Sequence, residues 1–415
     1  MRLVPGDLSA GGGLAGQAAV QNCGCYCWRP RIGSLECDEA TWKNAPVPVP
    51  PFTALAESLP ETVPFVGPEA LQRRSGVPLR ARIGANESGF GPSPRVQAAI
   101  AAAASDIWAY PDPEGYELRA AIAEHVGIAP DEVVLGEGID GLMGLAVRLF
   151  IAPGDPFVTS LGAYPTLNYH VAGYGGAFHY VPYRGVHEDL EALAAKVHET
   201  GARMVYLANP DNPMGSFWSA EDVIRFIDAL PETCLLLLDE AYGETAPAGV
   251  VTKVDPSRPN VLWLRTFSKA YGLAGIRVGY AMGNRRLVRA FERVRNHFGV
   301  NRLAQAAGLA ALADQDFLRQ AVNAIADART RIGHIAEANG LRPLVSGTNF
   351  VAVDCDRDAA FASAVLAGLA SQGVFIRKPM SPGLDHHIRI SAAPQRELDI
   401  LAEALPIALG EAYSV

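Results

Sequence analysis

The segment RTFSKAYGLAGIRVGY, residues 265–280, gathers a lysine, two hydroxyls and an arginine in one short stretch. Lys269 follows an apolar, strand-like run, with Thr266 and Ser268 beside it and Arg277 eight residues on. Lysine is the side chain that condenses with carbonyl compounds to a Schiff base. Hydroxyls and a planar guanidinium are natural phosphate ligands. Together they suit a cofactor that carries both an aldehyde and a phosphate. Taken alone, the same residues also describe a plain surface lysine after a buried strand.

Three further segments could complete such a site. In LLLLDEAYGE, Asp239 ends an apolar run and Tyr242 follows three residues later. A carboxylate at a buried strand end is costly unless a cation pairs with it, and a pyridinium nitrogen would be such a cation. A helix cap or a Mg²⁺ ligand are the other readings, although no G-x-x-x-x-G-K-[ST] motif supports a nucleotide site. In ANPDNPMG (208–215), two Asn-Pro steps and a glycine force a tight turn that can present the Asn212 amide, and a plain turn is the alternative. GEGIDGLMGLAVRLF (136–150) reads as a glycine-rich turn entering a helix, whose first N–H groups can hold a phosphate.

The elements that must position these residues alternate. VVLGEG, FVTS, FHYVPY, MVYLANP, CLLLLDEAY and VLWLRTFSK read as strands, separated mostly by amphipathic stretches such as residues 220–230, with Ser219 as an N-cap. CLLLLD is apolar up to its Asp, as a strand buried on both faces should be. The alternation predicts an α/β fold with a mostly parallel, doubly wound sheet. GEG, ANPDNP, DEAY and TFSK all follow strand ends, where an open α/β sheet binds its ligands, so one shared pocket is expected. From about residue 311 the pattern changes to a long helix, then TNFVAVD, GVFIRK and HHIRISAA, and predicts a smaller α+β domain.

Composition bounds the answer. The 415 residues are 49% hydrophobic and 19% charged, enough to bury a large core. Lys and Arg total 35 against 44 Asp and Glu, a charge of −9, which argues against general nucleic-acid binding. No apolar run reaches the ~20 residues of a membrane span. The first 20 residues lack a signal peptide's basic start and compact apolar core, so a cytoplasmic protein is expected. Cys23, Cys25, Cys27 and Cys37 crowd the N-terminus without a common zinc spacing or a nearby His. With the proline-rich run PVPVPP behind them, they suggest an unstructured leader over residues 1–75. Cys234 and Cys355 read as core. His170, His179, His386 and His387 show no metal-ligand spacing, and His386 and His387 should face opposite sides of a strand. No metal site is expected. Trp108 reads as packing.

TFSKAYGLAGIR resembles the lysine signature of the fold-type I enzymes that use pyridoxal 5′-phosphate (PLP). ANESGFGPSP, YPDPEGYELRAAIAEH, GEGIDG, a Tyr-rich segment, NPDNPMG, DEAY, TFSK and IRIS follow that family's order, over about residues 80–405. The order, with GVNRLAQAAGLAAL, is most similar to the histidinol-phosphate aminotransferase branch. The resemblance implies an arm over residues 76–115 belonging partly to the small domain, a large PLP-binding domain over 116–310, and a small domain over 311–415.

It also implies roles. Lys269 would carry the cofactor and move a proton between Cα and C4′. Asp239 would pair with the ring nitrogen, while Tyr242 and Asn212 would bind its phenolic oxygen. Arg277, Ser268 and Thr266 would hold the phosphate with the amides of Gly138, Ile139 and Asp140. Tyr110 would reach the phosphate of a neighbouring subunit, making a homodimer. Tyr169, in preference to Tyr164, would stack on the ring. Asn86 and Arg389 would meet the substrate, Arg389 through its planar fork.

Two motifs depart from the family's usual form. Gly89 and Phe90 follow Ser88 where Pro and often Tyr are usual, and Met214 stands where Thr is usual. Both are expected near the cofactor or the substrate entrance. The implied reaction transfers an amino group between an L-amino acid, glutamate first, and a 2-oxo acid or imidazole-acetol phosphate. A decarboxylase resembling the threonine-phosphate enzyme and an aromatic amino acid aminotransferase remain alternatives on the same fold. A regulator with a DNA-binding module ahead of the fold finds no helix-turn-helix pattern in residues 1–75.

Overall fold

The computed structural model describes residues 50–61 and 66–414. The four N-terminal cysteines lie outside the described residues. Helical structure is present ahead of residue 76, within the span expected to be an unstructured leader. Thr53 caps a short helix, Ala54–Glu57, and a second helix, Pro68–Ser75, opens on a proline and closes on Gly76 at φ +71°.

Twelve strands follow: β1 (Ala81–Arg82), β2 (Val133–Gly136), β3 (Pro156–Ser160), β4 (Ala177–Val181), β5 (Met204–Ala208), β6 (Leu235–Asp239), β7 (Val261–Thr266), β8 (Gly279–Gly283), β9 (Arg342–Pro343), β10 (Phe350–Asp354), β11 (Val374–Phe375) and β12 (His387–Ser391). Seven form one sheet in the order β2-β8-β7-β6-β5-β3-β4. It is parallel from β7 to β4, and β8 runs antiparallel to both neighbours.

The central strands β5 and β6 are buried on both faces, as their apolar runs require. Alternate residues of β5 and β6 enter different cores. Val205, Leu207, Leu236 and Leu238 pack in one, and Met204, Tyr206, Leu235 and Leu237 in the other. Asp239 therefore shares a face with Tyr206 and Ala208. Cys234 and Cys355 are both buried, as expected.

The smaller domain pairs β12-β10-β9 antiparallel and β1 with β11 in parallel, over its own core. The 76–115 stretch divides: Ala81 and Ile83 join that core, whereas Val96 joins the large-sheet core. The boundary on the other side lies inside a helix. Gln315–Ala338 is one continuous element whose Leu318 packs in the large-sheet core and whose Ile325 and Ile332 pack in the small-domain core. A change of sequence pattern at 311 marks the helix, not the division of the cores. Among the described residues no helix is long and apolar enough to cross a membrane.

Candidate active site

The C-terminal ends of β5, β6 and β7 and the start of helix Gly138–Phe150 open onto one cavity of about 320 Å³. Lys269, Asp239, Tyr242, Asn212 and Arg277 line it together with Thr266 and Ser268. Ile139 and Asp140 contribute from the helix start.

The phosphate-like end is built from backbone and short side chains. Gly138 has φ +79°, and a Cβ there would lie 2.6 Å from Arg277 Nη2. At Gly279 a Cβ would meet the backbone of Gly138 and Ile139 at 3.0–3.1 Å. Glycine at both positions lets the guanidinium and the helix start approach each other. No side chain caps that helix, and the Glu137 side chain instead packs against Gly299. Its first N–H groups therefore remain available to an anion. The Thr266 hydroxyl donates to Ser268 Oγ at 3.0 Å, and Arg277 Nη1 donates to the Ala274 carbonyl at 2.9 Å. Arg277 holds a left-handed backbone, φ +60°, a strain of the kind that gathers at functional sites.

At the centre, Asp239 is buried and both its oxygens are held. Tyr206 donates its hydroxyl to Oδ2 at 2.8 Å, and the Ala241 amide donates to Oδ1 at 2.9 Å. Burial pushes this carboxyl up to about 6, against those two hydrogen bonds. Lys269 Nζ donates to the Asn86 carbonyl at 3.1 Å and lies 5.5 Å from the Tyr242 ring centre. Burial first, and then the Arg389 charge, lower the ammonium to about 8. The Tyr242 hydroxyl accepts from Asn86 Nδ2 at 3.1 Å, and burial raises its pKa.

The far end belongs to the small domain. Arg389, on β12, donates to Asn212 Oδ1 and stacks 5.1 Å from the Phe350 ring centre. Its Nε is buried without a hydrogen-bond partner among the described residues. Desolvation lowers its pKa to about 10, with the neighbouring Arg377 charge acting the same way. The two arginines exchange backbone hydrogen bonds. Asn86 ties this end to the centre. At φ +56° and buried, it accepts from Ser391 Oγ at 3.1 Å, and its carbonyl takes both Lys269 and Asn349.

The cavity brings together most of the residues picked from the sequence, and Asn86, Arg389 and Gly138 touch its walls. Tyr169 is not among them. It sits on the outer side of helix Thr166–Gly173 and is 46% exposed, whereas Tyr164, in the loop before that helix, lines the cavity. Tyr164 bonds Asp140 at 3.4 Å. Tyr110 is also outside, exposed and stacked on Phe298 at 4.6 Å. Trp108 is 85% exposed rather than packed.

The two departures from the family pattern are packing features. Met214 is fully buried in a small cluster with Ala352 and Leu384, and a Cβ at Gly89 would meet Pro394 at 2.7 Å. His386 and His387 do not face apart. His386 precedes the strand, so alternation does not govern it, and the rings lie 4.0 Å centre to centre near Asp354. That carboxylate already accepts from Arg342 and from the Asp356 amide.

Four residues at the site were missed from the sequence: Tyr206, Arg377, Asn349 and Ser391. Tyr206 had a signal, a lone hydroxyl in an apolar strand. Ser391 stood inside the quoted IRIS motif.

The family model for aminotransferase class I and II matches residues 82–405. The chain belongs to this aminotransferase family. It is 36% identical over 366 residues to the histidinol-phosphate aminotransferase of Anaeromyxobacter sp. (strain Fw109-5), covering 87% of this chain and 99% of that one. A crystal structure of histidinol-phosphate aminotransferase from Sinorhizobium meliloti, in complex with pyridoxal-5′-phosphate, is 55% identical, with a TM-score of 0.84 over 86% of this chain and 97% of that chain. Aspartate aminotransferase from Thermus thermophilus shares the fold, at 24% identity and a TM-score of 0.73 over 87% of this chain and all of that one.

Proposed function

We propose that this aminotransferase uses PLP and passes an amino group between L-glutamate and imidazole-acetol phosphate. The observation that carries the reading is the convergence on one cavity of Lys269 with its lowered pKa, the doubly held Asp239, and the uncapped helix start beside Arg277. The residues fit PLP in kind and order. The uncapped amides, Arg277, Thr266 and Ser268 would hold its phosphate, Asp239 its ring nitrogen, and Tyr242 and Asn212 its phenolic oxygen. Tyr164, not Tyr169, would lie against the ring. When bound, the cofactor supplies the electron sink for the bond broken at the substrate Cα.

Lys269 does the proton work. With an ammonium near 8 rather than 10.5, its amine is available as a base close to neutral pH and can take and return the Cα proton. Asp239, ionised above about 6, keeps a positive partner at the ring nitrogen. At the far end, Arg389 would meet the substrate's anionic group, with the Arg377 charge beside it and Arg377 Nη2 held by the Val66 carbonyl at 3.1 Å. Two such charges suit a phosphate as well as a carboxylate. Asn86 fixes Tyr242 and, through Ser391, the strand that carries Arg389.

The homodimer belongs to the same reading. Tyr110 is exposed and stacks on Phe298, with exposed Trp108 and Tyr116 close to it in sequence, and a second copy would cover these aromatic side chains.

The test is a product assay with purified protein, L-histidinol phosphate and 2-oxoglutarate. Formation of glutamate with no carbon dioxide supports the reading. Carbon dioxide release from amino acid phosphates would replace it with the decarboxylase, and turnover confined to aromatic amino acids would replace the substrate.

A further inference from the structure

Strand β5 is buried at every position, from Met204 to Ala208. Leucine or valine would serve its packing. Instead it carries Tyr206, 1% exposed. A hydroxyl taken out of water costs free energy unless it finds a partner. The parallel register supplies one. Tyr206 stands opposite Leu237, and Asp239, two residues on along β6, lies on the same face. The hydroxyl donates to Asp239 Oδ2 at 2.8 Å. The Ala241 amide donates to the other oxygen at 2.9 Å. Both Tyr206 and Asp239 line the cavity.

We propose that Tyr206 is a positioning residue for the cofactor's ring nitrogen, acting through Asp239. The inference rests on PLP being the cofactor. A hydrogen bond donated to a carboxylate favours its ionised form. The Tyr206 hydroxyl therefore makes Asp239 less basic, so that a proton shared between carboxylate and ring nitrogen stays on the nitrogen. It also fixes the carboxylate's rotation. Burial alone works in the opposite direction, and Arg265, the half-buried arginine on β7, is already engaged by Glu240 at 2.8 Å. The tyrosine thus performs, without a charge of its own, a task that an ion pair would otherwise perform.

The decisive variant is Tyr206→Phe, which removes the hydroxyl and keeps the ring that fills the core. Apoprotein of the parent and the variant would be titrated with PLP and with its 1-deaza analogue, in which carbon replaces the ring nitrogen, and dissociation constants read from cofactor absorbance. The variant should bind PLP about tenfold more weakly. It should bind the deaza analogue as the parent does. A parallel ¹⁵N spectrum of labelled PLP on both proteins should show a less protonated nitrogen in the variant. Equal PLP affinity and equal nitrogen signals in parent and variant would overturn the proposal. So would an equal loss for both cofactors, which marks a packing role. A parent protein that fails to bind PLP at all would instead remove the functional reading beneath it.

Discussion

At the phosphate end of the cavity the binding groups come from backbone, glycines and short side chains at the ends of neighbouring strands. At the substrate end they come from residues 86, 349, 377, 389 and 391, joined by hydrogen bonds across two domains and tied to the cofactor end through Asn212. The first arrangement is stiff because each group is fixed by the sheet that carries it. The second is only as well placed as the Asn86 junction that links Lys269, Tyr242 and β12. One end therefore specifies what the cofactor is, and the other can be altered to specify what the substrate is without disturbing the sheet.

Variants should separate the two ends. Lys269→Ala removes the base and should lower kcat by about 10⁴-fold, with the cofactor still detectable by absorbance in the purified protein. Asp239→Ala breaks the central pairing and should cost roughly 10²–10³-fold in PLP affinity, measured by titration of apoprotein. Arg277→Ala should weaken PLP by about 10-fold or more while leaving the KM of the amino donor within twofold once the site is saturated with cofactor. Arg389→Lys should do the reverse, raising donor KM by about tenfold and leaving PLP affinity unchanged. If both arginine variants moved both quantities equally, the division of the cavity into two independent ends would be wrong.

The pH dependence of cofactor capture sharpens the same division. Capture requires the neutral Lys269 amine. Its pKa is lowered from 10.5 to about 8, so the rate for apoprotein should rise with pH and reach its midpoint near 8. A midpoint near 10.5 would show that burial and Arg389 do not act on Lys269.

The smallest effect is expected from Met214→Thr, which restores the family's usual residue. Met214 is buried against Ala352 and Leu384, so the added hydroxyl should destabilise the fold by about 1–3 kcal/mol in denaturant titration and leave kcat unchanged.

The contrast also explains what the sequence disclosed. Lys269, Arg277, Asp239 and the Gly138 turn are legible because each lies in a contiguous strand-to-turn segment, where local spacing encodes geometry. The mostly parallel sheet was legible for the same reason, since runs such as CLLLLD permit little else. Tyr164 and Tyr169 could not be separated by pattern, because the choice depends on which way a short helix is rolled. Arg377, Asn349 and Ser391 became visible only through pairings across long sequence separations. Gly89 and Met214 looked like active-site changes because they adjoin motifs, yet their side-chain positions face neighbouring packing. The division between the two cores is not legible in the pattern, because one helix passes through both without a break in its periodicity.

The most direct test of the central claim is the absorbance spectrum of PLP-loaded protein titrated with L-glutamate and then with L-histidinol phosphate. The account predicts that each donor converts the carbonyl form of the cofactor to its aminated form, and that Arg389→Lys shifts the histidinol phosphate titration to higher concentration without altering the starting spectrum. A protein that gains no cofactor band on adding PLP, or one whose band neither donor changes, would contradict it.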